Sequence, residues 1–400
     1  MNDAPREVDV AVIGGGIHGA GVLQAAVAAG HSALLLEAQA LASGTSSRSS
    51  KLIHGGLRYL ENAQLGLVRE SLAERATLAR VAQGLVKLVP FYLPIYRETT
   101  RRPWQIRAGL SLYAALGDLA REARFTKVPK RAWGDLDGLR TDGLQAVFRY
   151  FDGQTDDAAL VRAVARSAQS LGAHVECPAE LVSAQRHAPN AASAFDGYVL
   201  HYKAGEREHE CRARIVVNAA GPWANRVRER MTPLPPGMTI DLVAGTHIEL
   251  TGSLTAGIYY AEAPSDRRAV FLMPWKGHTL VGTTETPFTG DPRAVKPLAR
   301  EIEYLQETLR HYLPQHEGTL IDAWAGLRVL PSGEGSAFLR RRDTTLVCDD
   351  EKTPRMVAIY GGKLTGYRAT AEKVIERVKS ELPARASRGS TKEIVLPLPE

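Results

Sequence analysis

The sequence predicts an α/β protein in which a Rossmann-like dinucleotide-binding domain is interrupted by a β-rich α+β domain. Three observations support this fold class. A strand–helix–strand unit with a GxGxxG turn opens the chain and ends at Glu37. Strand-like runs dominate the middle, between residues 242 and 283. A strand, a Gly-Gly turn and a helical pattern follow near the C-terminus, so α/β segments enclose the β-rich part.

The opening unit follows from local residue patterns. Residues 8–13 form a β-branched, apolar run typical of a buried parallel strand. Residues 20–29 are small and apolar, which predicts a helix that packs close to the sheet and ends at Gly30. Residues 32–37 predict a second strand that ends in an acidic residue. Together these patterns predict one complete βαβ unit.

The glycine turn between the first strand and the first helix predicts a dinucleotide site. Gly14, Gly16 and Gly19 allow the backbone to approach a pyrophosphate, which is favoured at the N-terminus of the following helix. Glu37, at the end of the next strand, is expected to accept hydrogen bonds from ribose hydroxyls. The turn by itself does not separate FAD from NAD.

Periodicity and turn residues predict the later elements. An amphipathic pattern predicts a helix over 63–83, and a Thr-Asp-Asp start predicts another from 155 to Gly172. The other predicted elements are strands at 214–218, 242–250, 269–273, 279–283 and 356–360 and helices at 292–312 and 364–379. From this order we expect a dinucleotide-binding domain over 1–85, 150–225 and 330–385, a substrate domain over 86–149 and 226–329, and an extended tail over 386–400.

Composition restricts the class of protein and its partners. The 400 residues are 44% hydrophobic and 24% charged, which suits a globular protein. The formal net charge of +6 is compatible with an anionic substrate, an anionic cofactor or an acidic membrane surface and does not choose among them. No cationic cluster with interleaved aromatics predicts nucleic-acid binding, and three scattered cysteines predict neither a disulfide framework nor a metal site. The N-terminus lacks a secretory signal and no apolar run is long enough to span a membrane, which predicts a cytoplasmic protein.

Two segments, 85–96 and 104–119, mix Leu, Tyr, Trp and Arg in the way that interfacial segments do. Two interpretations are open for them. They could contact the inner face of the membrane as peripheral anchors, or they could line the substrate domain or a homodimer contact.

Residues 45–60 are dense in hydroxyls, glycines and cations. Such a loop offers hydrogen bonds to a second stretch of a cofactor, although a polar surface loop has the same composition. The run SSKLIHGGLRYL (49–60) closely resembles the FAD-dependent glycerol-3-phosphate dehydrogenases, within the D-amino-acid-oxidase-like superfamily. The similarity covers 8–380 and continues at VVNAAGPW (216–223), FLMPW (271–275), VGTTE (281–285), AGLR (325–328), RD (342–343) and YGGKLT (360–365).

The resemblance implies FAD as the cofactor and no metal. Together with the glycine turn it assigns cofactor binding to Gly14, Gly16, Ile17, His18, Gly19, Glu37, Thr45, Ser46, Ser50, Lys51, His54, Gly55, Gly56, Gly221, Gly362, Lys363, Leu364 and Thr365. It also implies that the helix after the Gly361–Gly362 turn points its positive end at the flavin ring.

The family's reaction is hydride transfer from carbon 2 of sn-glycerol 3-phosphate to flavin N5, which gives dihydroxyacetone phosphate and passes electrons to a quinone. The resemblance implies that the phosphorylated substrate is bound by Arg58, Tyr59, Arg342 and Lys363. It implies His247 and Arg328 as catalytic residues. We expect His247 to be the base because an ordinary imidazole titrates near neutral pH, and Arg328 to polarise the substrate oxygen.

The sequence departs from the family at Ala244, where members tend to carry Lys, and at Val329, where Pro is usual. The family also continues into a C-terminal helical domain that is not part of this sequence. An alternative function is oxidation of another small anionic hydroxy acid or amine, by an FAD-dependent oxidase or dehydrogenase. A third class, a flavin-binding protein without turnover, is disfavoured because it has no need of a phosphate clamp.

Overall fold

The computed structural model describes residues 6–118, 124–332 and 344–398. Its strands in chain order are β1 (Arg6–Ile13), β2 (Ala33–Leu36), β3 (Leu52–Ile53), β4 (Val86–Tyr96), β5 (Thr126–Lys127), β6 (Leu144–Thr155), β7 (His174–Glu176), β8 (Glu180–His187), β9 (Gly197–Ala204), β10 (Arg207–Asn218), β11 (Met231–Thr232), β12 (Ile240–Leu250), β13 (Ile258–Glu262), β14 (Ala269–Trp275), β15 (His278–Gly282), β16 (Thr286–Phe288), β17 (Leu320–Pro331), β18 (Thr345–Cys348) and β19 (Met356–Tyr360). Its α-helices are α1 (Ile17–Ala28), α2 (Leu65–Val81), α3 (Pro103–Leu116), α4 (Asp157–Ser170), α5 (Ala224–Arg228), α6 (Ala299–Tyr312) and α7 (Tyr367–Val378).

Strands from the two ends of the chain and from its centre form the first sheet, which has nine strands within the described residues. At its centre β1 pairs in parallel with β10 and β2, and β10 pairs in parallel with β19. Helices α1, α4 and α7 pack together against this sheet, with α1 in contact with both of the others. Because α1 consists mainly of Gly, Ala and Val, its backbone lies close to its neighbours, as the small-residue pattern predicts.

The second sheet has ten strands within the described residues and holds the β-rich middle of the chain. The long antiparallel pairs β4–β6 and β12–β17 form its framework. Helix α6 covers it through an apolar face that includes Leu305 and Leu309. Strand β6 ends at Thr155, where Asp156 caps α4 by accepting a hydrogen bond from the backbone N–H of Ala159 (3.0 Å), so the chain passes directly from one sheet to the helices of the other. The mixed α/β fold class is confirmed.

Three predictions from sequence patterns need correction. Helix α6 begins at Ala299 rather than at 292, because Pro297 lies just before it and a separate short turn occupies 292–294. Helix α7 begins at Tyr367, three residues after the predicted start, because the glycine turn extends to Gly366. The interfacial interpretation of 85–96 is wrong: this segment is β4, and the side chains from Phe91 to Tyr96 are buried in the second sheet.

The C-terminal tail, which the structure describes up to residue 398, is docked on the protein. The Arg388 N–H donates to the carbonyl of Ala28 at the end of α1 (2.7 Å), and the Leu396 N–H donates to the carbonyl of Val81 at the end of α2 (2.7 Å). Thr391 is buried and accepts a hydrogen bond from the Arg368 guanidinium of α7 (2.9 Å). The tail thereby links three helices of the dinucleotide-binding half.

Candidate active site

A cavity of about 520 Å³ lies at the carboxyl ends of the parallel strands of the first sheet and extends to the second sheet. Its walls include Gly14 after β1, Gly221 after β10 and Gly361 after β19. Residues of β12 and β17 form the wall on the other side. In α/β sheets the crevice outside the carboxyl ends of parallel strands is where ligands bind, so this cavity is the candidate active site.

The glycine turn forms one end of the cavity and has no room for side chains. Gly14 has a φ of +111°, and a Cβ at this position would lie 2.7 Å from the carbonyl oxygen of Ala219. A Cβ at Gly19 would lie 1.8 Å from the carbonyl oxygen of Gly14, so this glycine lets α1 start against the turn. The Gly16 N-cap has no side chain and the first turn of α1 has no acidic residue, which favours an anion there.

The acidic residue after β2 lies on the same wall. Glu37 accepts hydrogen bonds from the backbone N–H groups of Gly15 (2.7 Å) and Gln39 (2.8 Å). These two bonds fix the carboxylate beside the glycine turn, at the position from which a ribose would be recognised. The bond to ribose itself stays a prediction.

The hydroxyl-rich loop joins the two halves of the site. Ser46 Oγ accepts a hydrogen bond from the N–H of Ile17 at the start of α1 (3.0 Å), and Thr45 Oγ1 donates to the carbonyl of Leu327 in β17 (2.7 Å). Because these hydroxyls bind the first residue of α1 and a residue of β17, the loop connects the helix on the first sheet to the second sheet. Ser46 and Ser50 line the cavity.

Lys51 lies outside the cavity wall, contrary to its predicted role as a cofactor ligand. Its ammonium group donates to the carboxylate of Asp157 at the start of α4 (2.7 Å) and to the carbonyl of Ser47 (2.6 Å). Asp157 is fully buried and also accepts hydrogen bonds from the N–H (3.0 Å) and the hydroxyl (2.7 Å) of Ser49. Lys51 therefore anchors the hydroxyl-rich loop to the N-terminus of α4.

A buried charge cluster holds the His54–Gly56 turn. The N–H of Gly55 donates to the Tyr113 hydroxyl (3.0 Å) and to the Asp152 carboxylate (3.3 Å), and Arg75 pairs with the same carboxylate (3.0 Å). Burial raises the pKa of Asp152 in spite of the adjacent guanidinium. Gly55 is enclosed by this cluster and does not line the cavity, whereas His54 and Gly56 do.

The turn after β19 lines the cavity where it meets the start of α1 and the end of the hydroxyl-rich loop. Gly362 has a φ of +96°, and a Cβ there would lie 2.3 Å from Nε2 of His18, so only glycine fits. Burial lowers the pKa of His18 to about 4, and the ring is neutral at pH 7. The Thr365 hydroxyl accepts a hydrogen bond from the N–H of His54 (3.2 Å), and the Lys363 ammonium lies 3.8 Å from the centre of the Tyr59 ring. The turn thus brings a cation to the cavity wall.

His247 is held rigidly on the β12 wall. Its ring stacks on Trp324 with a centroid separation of 5.9 Å, and a Cβ at Gly282 on the other side would lie 2.2 Å from Cδ2. Its Nε2 is 3.0 Å from Ser50 Oγ, and its Nδ1 has no hydrogen-bond partner among the described residues. Burial, reinforced by the positive charges of Arg328 and Lys51, lowers the pKa to about 3. The expectation that His247 titrates near neutral pH is therefore wrong, and the ring is a neutral imidazole.

Arg328 reaches the same cavity from β17. Its guanidinium pairs with the carboxylate of Glu285 (2.7 Å), whose side chain is 6% exposed. Strand β17 pairs with β12 in a register that places Arg328 opposite Val243, four residues from His247. The antiparallel pairing therefore brings both predicted catalytic side chains to one wall.

Most of the residues predicted from sequence meet at this cavity. Those that line it are Gly14, Gly16, Ile17, His18, Glu37, Thr45, Ser46, Ser50, His54, Gly56, Tyr59, Gly221, His247, Arg328, Gly362, Lys363, Leu364 and Thr365. Gly19, Lys51 and Gly55 lie behind it for the packing reasons given above. Arg342 and the side chain of Arg58 fall outside the described residues.

Sequence reasoning missed several side chains of the wall. An aromatic group consists of Phe91, Tyr150, Tyr260 and Phe271, in which Phe271 lies 5.3 Å from Tyr260 and 6.2 Å from Phe91 between ring centres. Three arginines, Arg226, Arg230 and Arg293, also line the cavity. Phe271 lies in the FLMPW segment and Phe91 in the segment 85–96, but the sequence analysis assigned neither side chain to the site. The others come from strands and loops with no distinguishing motif.

The residues present fit a flavin dinucleotide. The cavity has a glycine cradle that a single Cβ would fill, a helix N-terminus with a glycine N-cap and no acidic residue in its first turn, and a carboxylate at the end of β2. Its walls also carry the neutral imidazole of His247 and two cations, Arg328 and Lys363. An extended ligand with an anionic centre and a reactive ring at one end matches this distribution.

Comparisons with known proteins agree with the geometry. The family profile described as FAD dependent oxidoreductase matches residues 9–368. A glycerol-3-phosphate dehydrogenase of Pseudomonas aeruginosa is 37% identical over 98% of this chain and 75% of its own length. The aerobic glycerol-3-phosphate dehydrogenase of Escherichia coli is 37% identical over 97% of this chain and 76% of its own. A D-erythritol 1-phosphate dehydrogenase of Brucella abortus is 32% identical over 95% of this chain and 75% of its own.

Among solved structures, the glycerol-3-phosphate dehydrogenase of Bacillus halodurans complexed with FAD superposes with a TM-score of 0.72 and 26% identity. The match covers 98% of this chain and 68% of that one. The predictions of FAD as the cofactor and of an FAD-dependent oxidoreductase are confirmed. The chain belongs to the FAD dependent oxidoreductase family and, within it, to the glycerol-3-phosphate dehydrogenases.

Proposed function

We propose that the protein oxidises sn-glycerol 3-phosphate to dihydroxyacetone phosphate with FAD as the hydride acceptor. The observation that carries the proposal is the joint placement of neutral His247 with the cations Arg328 and Lys363 on the cavity that the glycine turn opens. A phosphorylated alcohol needs a proton acceptor at its hydroxyl and positive charge at its phosphate. This cavity provides both.

The phosphate is held by cations of the cavity wall. The Lys363 ammonium is buried over the Tyr59 ring, 3.8 Å from its centre, so the face of the ring helps to stabilise and position the charge. A phosphate carries nearly two negative charges at neutral pH and is best held by an arginine fork together with a further cation. Arg58 and Arg342 are proposed as that fork, from the resemblance of their segments to the family.

The hydroxyl proton passes to His247 through Ser50. Both residues line the cavity, and Ser50 Oγ is 3.0 Å from Nε2, so the serine donates its proton to the ring as it accepts one from the substrate. The pKa of about 3 applies to the site without substrate. A dianionic phosphate in the cavity raises the pKa of the imidazole and makes this transfer easier.

Arg328 polarises the substrate oxygen. Its pairing with Glu285 keeps the guanidinium in one orientation, and guanidinium groups stay protonated at any working pH. Positive charge fixed beside the oxygen that loses its proton stabilises the transition state more than the ground state. FAD would be held along the glycine turn of Gly14 and Gly16 and would supply the acceptor for the hydride from carbon 2 of the substrate.

We also propose a quinone as the electron acceptor, with the protein as a peripheral homodimer on the inner face of a membrane. Within the described residues, no helix has both the length and the apolar character to cross a bilayer. Helix α3 supports surface contact instead, since Trp104 is 70% exposed and Arg102 and Arg107 lie beside it. Cosedimentation with anionic vesicles, lost in Trp104→Ser, is the expected result. Sedimentation of both proteins alike would contradict the membrane contact.

Anaerobic mixing of the FAD-loaded protein with a panel of substrates tests the reaction. We expect glycerol 3-phosphate to bleach the flavin absorbance, with D-erythritol 1-phosphate slower and glycerol, glycine and proline without effect. Faster bleaching by D-erythritol 1-phosphate, or bleaching by an amine, would reassign the substrate. On admission of oxygen, rapid peroxide formation would identify an oxidase, whereas slow reoxidation that a soluble quinone accelerates supports a dehydrogenase.

A further inference from the structure

One buried carboxylate on α6 gathers hydrogen bonds from three separate segments beside the cavity. Glu301 is 5% exposed and accepts hydrogen bonds from the hydroxyls of Thr246 (2.6 Å), Thr284 (3.0 Å) and Thr286 (2.5 Å). It also accepts one from the backbone N–H of Leu298 (3.0 Å). Burial opposes ionisation, but these donors outweigh it and lower the pKa, so the group is a carboxylate at pH 7. None of its four contacts is with the cavity itself.

The threonines that bind this carboxylate precede the proposed chemical groups along the chain. Thr246 comes directly before His247 in β12, and Thr284 comes directly before Glu285, the partner of Arg328. The two threonines also bind each other, because the Thr246 N–H donates to the Thr284 hydroxyl (2.9 Å) and the Thr284 N–H donates to the Thr246 carbonyl (3.3 Å). A displacement of either threonine therefore moves a group on the cavity wall.

We infer that Glu301 is a positioning residue for the reaction, which sets the separation of His247 from the Glu285–Arg328 pair by fixing the threonines that precede His247 and Glu285. This inference rests on the proposed function. Helix α6 contributes nothing to the cavity wall, so its carboxylate acts only through these threonines. Thr286, the third hydroxyl donor, begins β16 and ties the end of the segment to the same carboxylate.

A charged carboxylate is needed because every contact is a donor. Two oxygens accept four hydrogen bonds here, and an amide at this position has only one accepting oxygen. In Glu301→Gln the amide nitrogen faces at least one threonine hydroxyl, which must reorient so that its oxygen accepts a hydrogen bond from the amide. If that hydroxyl belongs to Thr284, it already accepts from the Thr246 N–H, and the contact between the two segments loosens. Misplacement of reacting groups by about 1 Å costs on the order of a hundred-fold in rate.

The test uses four variants of the FAD-loaded protein. Glu301→Gln removes one accepting oxygen, and Thr246→Val removes the hydroxyl that donates to Glu301. Thr246→Ser keeps that hydroxyl. Glu303→Gln is the matched control at an exposed position of the same helix. The flavin reduction rate constant and the Kd for glycerol 3-phosphate are measured by anaerobic stopped flow. Flavin content, Tm and amide hydrogen exchange of the peptides 240–250 and 283–288 are measured on the same preparations.

Glu301→Gln and Thr246→Val are expected to reduce the flavin about ten- to a hundred-fold more slowly, with Kd changed by less than about three-fold. Thr246→Ser and Glu303→Gln should match the wild type, and faster exchange should be confined to the two peptides. A wild-type reduction rate in Glu301→Gln would overturn the inference. So would a rate loss that follows loss of flavin and Tm, since that indicates a purely structural role. Failure of glycerol 3-phosphate to bleach the flavin of the wild type would instead refute the proposed function. Amide hydrogen exchange of the two peptides would then still show whether Glu301 holds the threonines in place.

Discussion

Two lysines in one surface cleft give a direct test of how the hydroxyl-rich loop is anchored. Lys51 and Lys276 both lie near the Trp275 ring, at 5.6 Å and 5.1 Å from its centre, and each pairs with an aspartate at 2.7 Å. The side chains of the Lys51–Asp157 pair are 6% and 0% exposed, whereas the Lys276 side chain is 63% exposed. The substitutions Lys51→Met and Lys276→Met therefore remove the same charge from a buried and an exposed pair.

The two substitutions are expected to lower the free energy of unfolding by different amounts, because one ion pair is buried and the other is exposed to water. Removal of one partner of a buried ion pair leaves an uncompensated charge and costs about 3–5 kcal/mol of the free energy of unfolding. An exposed pair contributes about 0–1 kcal/mol because water screens it and the long side chain loses entropy. With an unfolding entropy of about 2.1 cal/mol/K per residue, a chain of 400 residues changes its Tm by roughly 4–6 °C for the first substitution and by about 1 °C or less for the second.

Thermal unfolding of the FAD-loaded proteins, followed by calorimetry at low scan rate, measures both shifts. The double variant Lys51→Met/Asp157→Asn should recover part of the loss, because it removes the stranded negative charge. Equal Tm shifts in the two single variants would refute the assignment of Lys51 as an anchor. An unchanged Tm in Lys51→Met with loss of bound flavin would return Lys51 to the role of a cofactor ligand.

Two further predictions follow from the glycine turn and from the buried histidine. Gly19→Ala should abolish co-purification of FAD, because the new Cβ would lie 1.8 Å from the Gly14 carbonyl, whereas Gly109→Ala, with no atom within 4 Å, should keep a wild-type ratio of flavin to protein absorbance. Equal flavin content would contradict the close approach. The lowered pKa of His247 means that the unfolded chain binds a proton below about pH 6.5 that the folded protein does not bind until about pH 3, so stability falls as the pH falls through this window. Between pH 7 and pH 5 the wild type should lose about 2 kcal/mol more than His247→Gln in urea unfolding, and parallel curves would show that the ring is not buried as a neutral group.

Local patterns were sufficient for the elements that bear the cofactor. The run before Gly14, the small residues of α1 and the Asp156 cap each determine conformation through neighbours close in sequence, and the structure confirms these elements. The assignment of His247 and Arg328 to one site needed the resemblance to a family, since no local pattern predicts that β12 pairs with β17.

The remaining features depend on contacts between residues far apart in the chain. Lys51 was expected at the cofactor because its loop is rich in hydroxyls, but its partner Asp157 is 106 positions away. The pKa of His247 was misjudged because burial between Trp324 and Gly282 is not visible in a strand sequence. Glu301 lies in an ordinary amphipathic helix, and only the fold shows what it binds. Burial and pairing that involve residues far apart in the chain cannot be predicted from local residue patterns.

The central claim is that this cavity uses FAD to oxidise a phosphorylated alcohol, and single-turnover product analysis tests it most directly. The FAD-loaded protein is mixed anaerobically with an excess of sn-glycerol 3-phosphate, quenched once the flavin is bleached, and assayed for dihydroxyacetone phosphate. We predict one molecule of dihydroxyacetone phosphate for each flavin reduced. Bleaching without this product, or no bleaching while another substrate reduces the flavin, would contradict the claim.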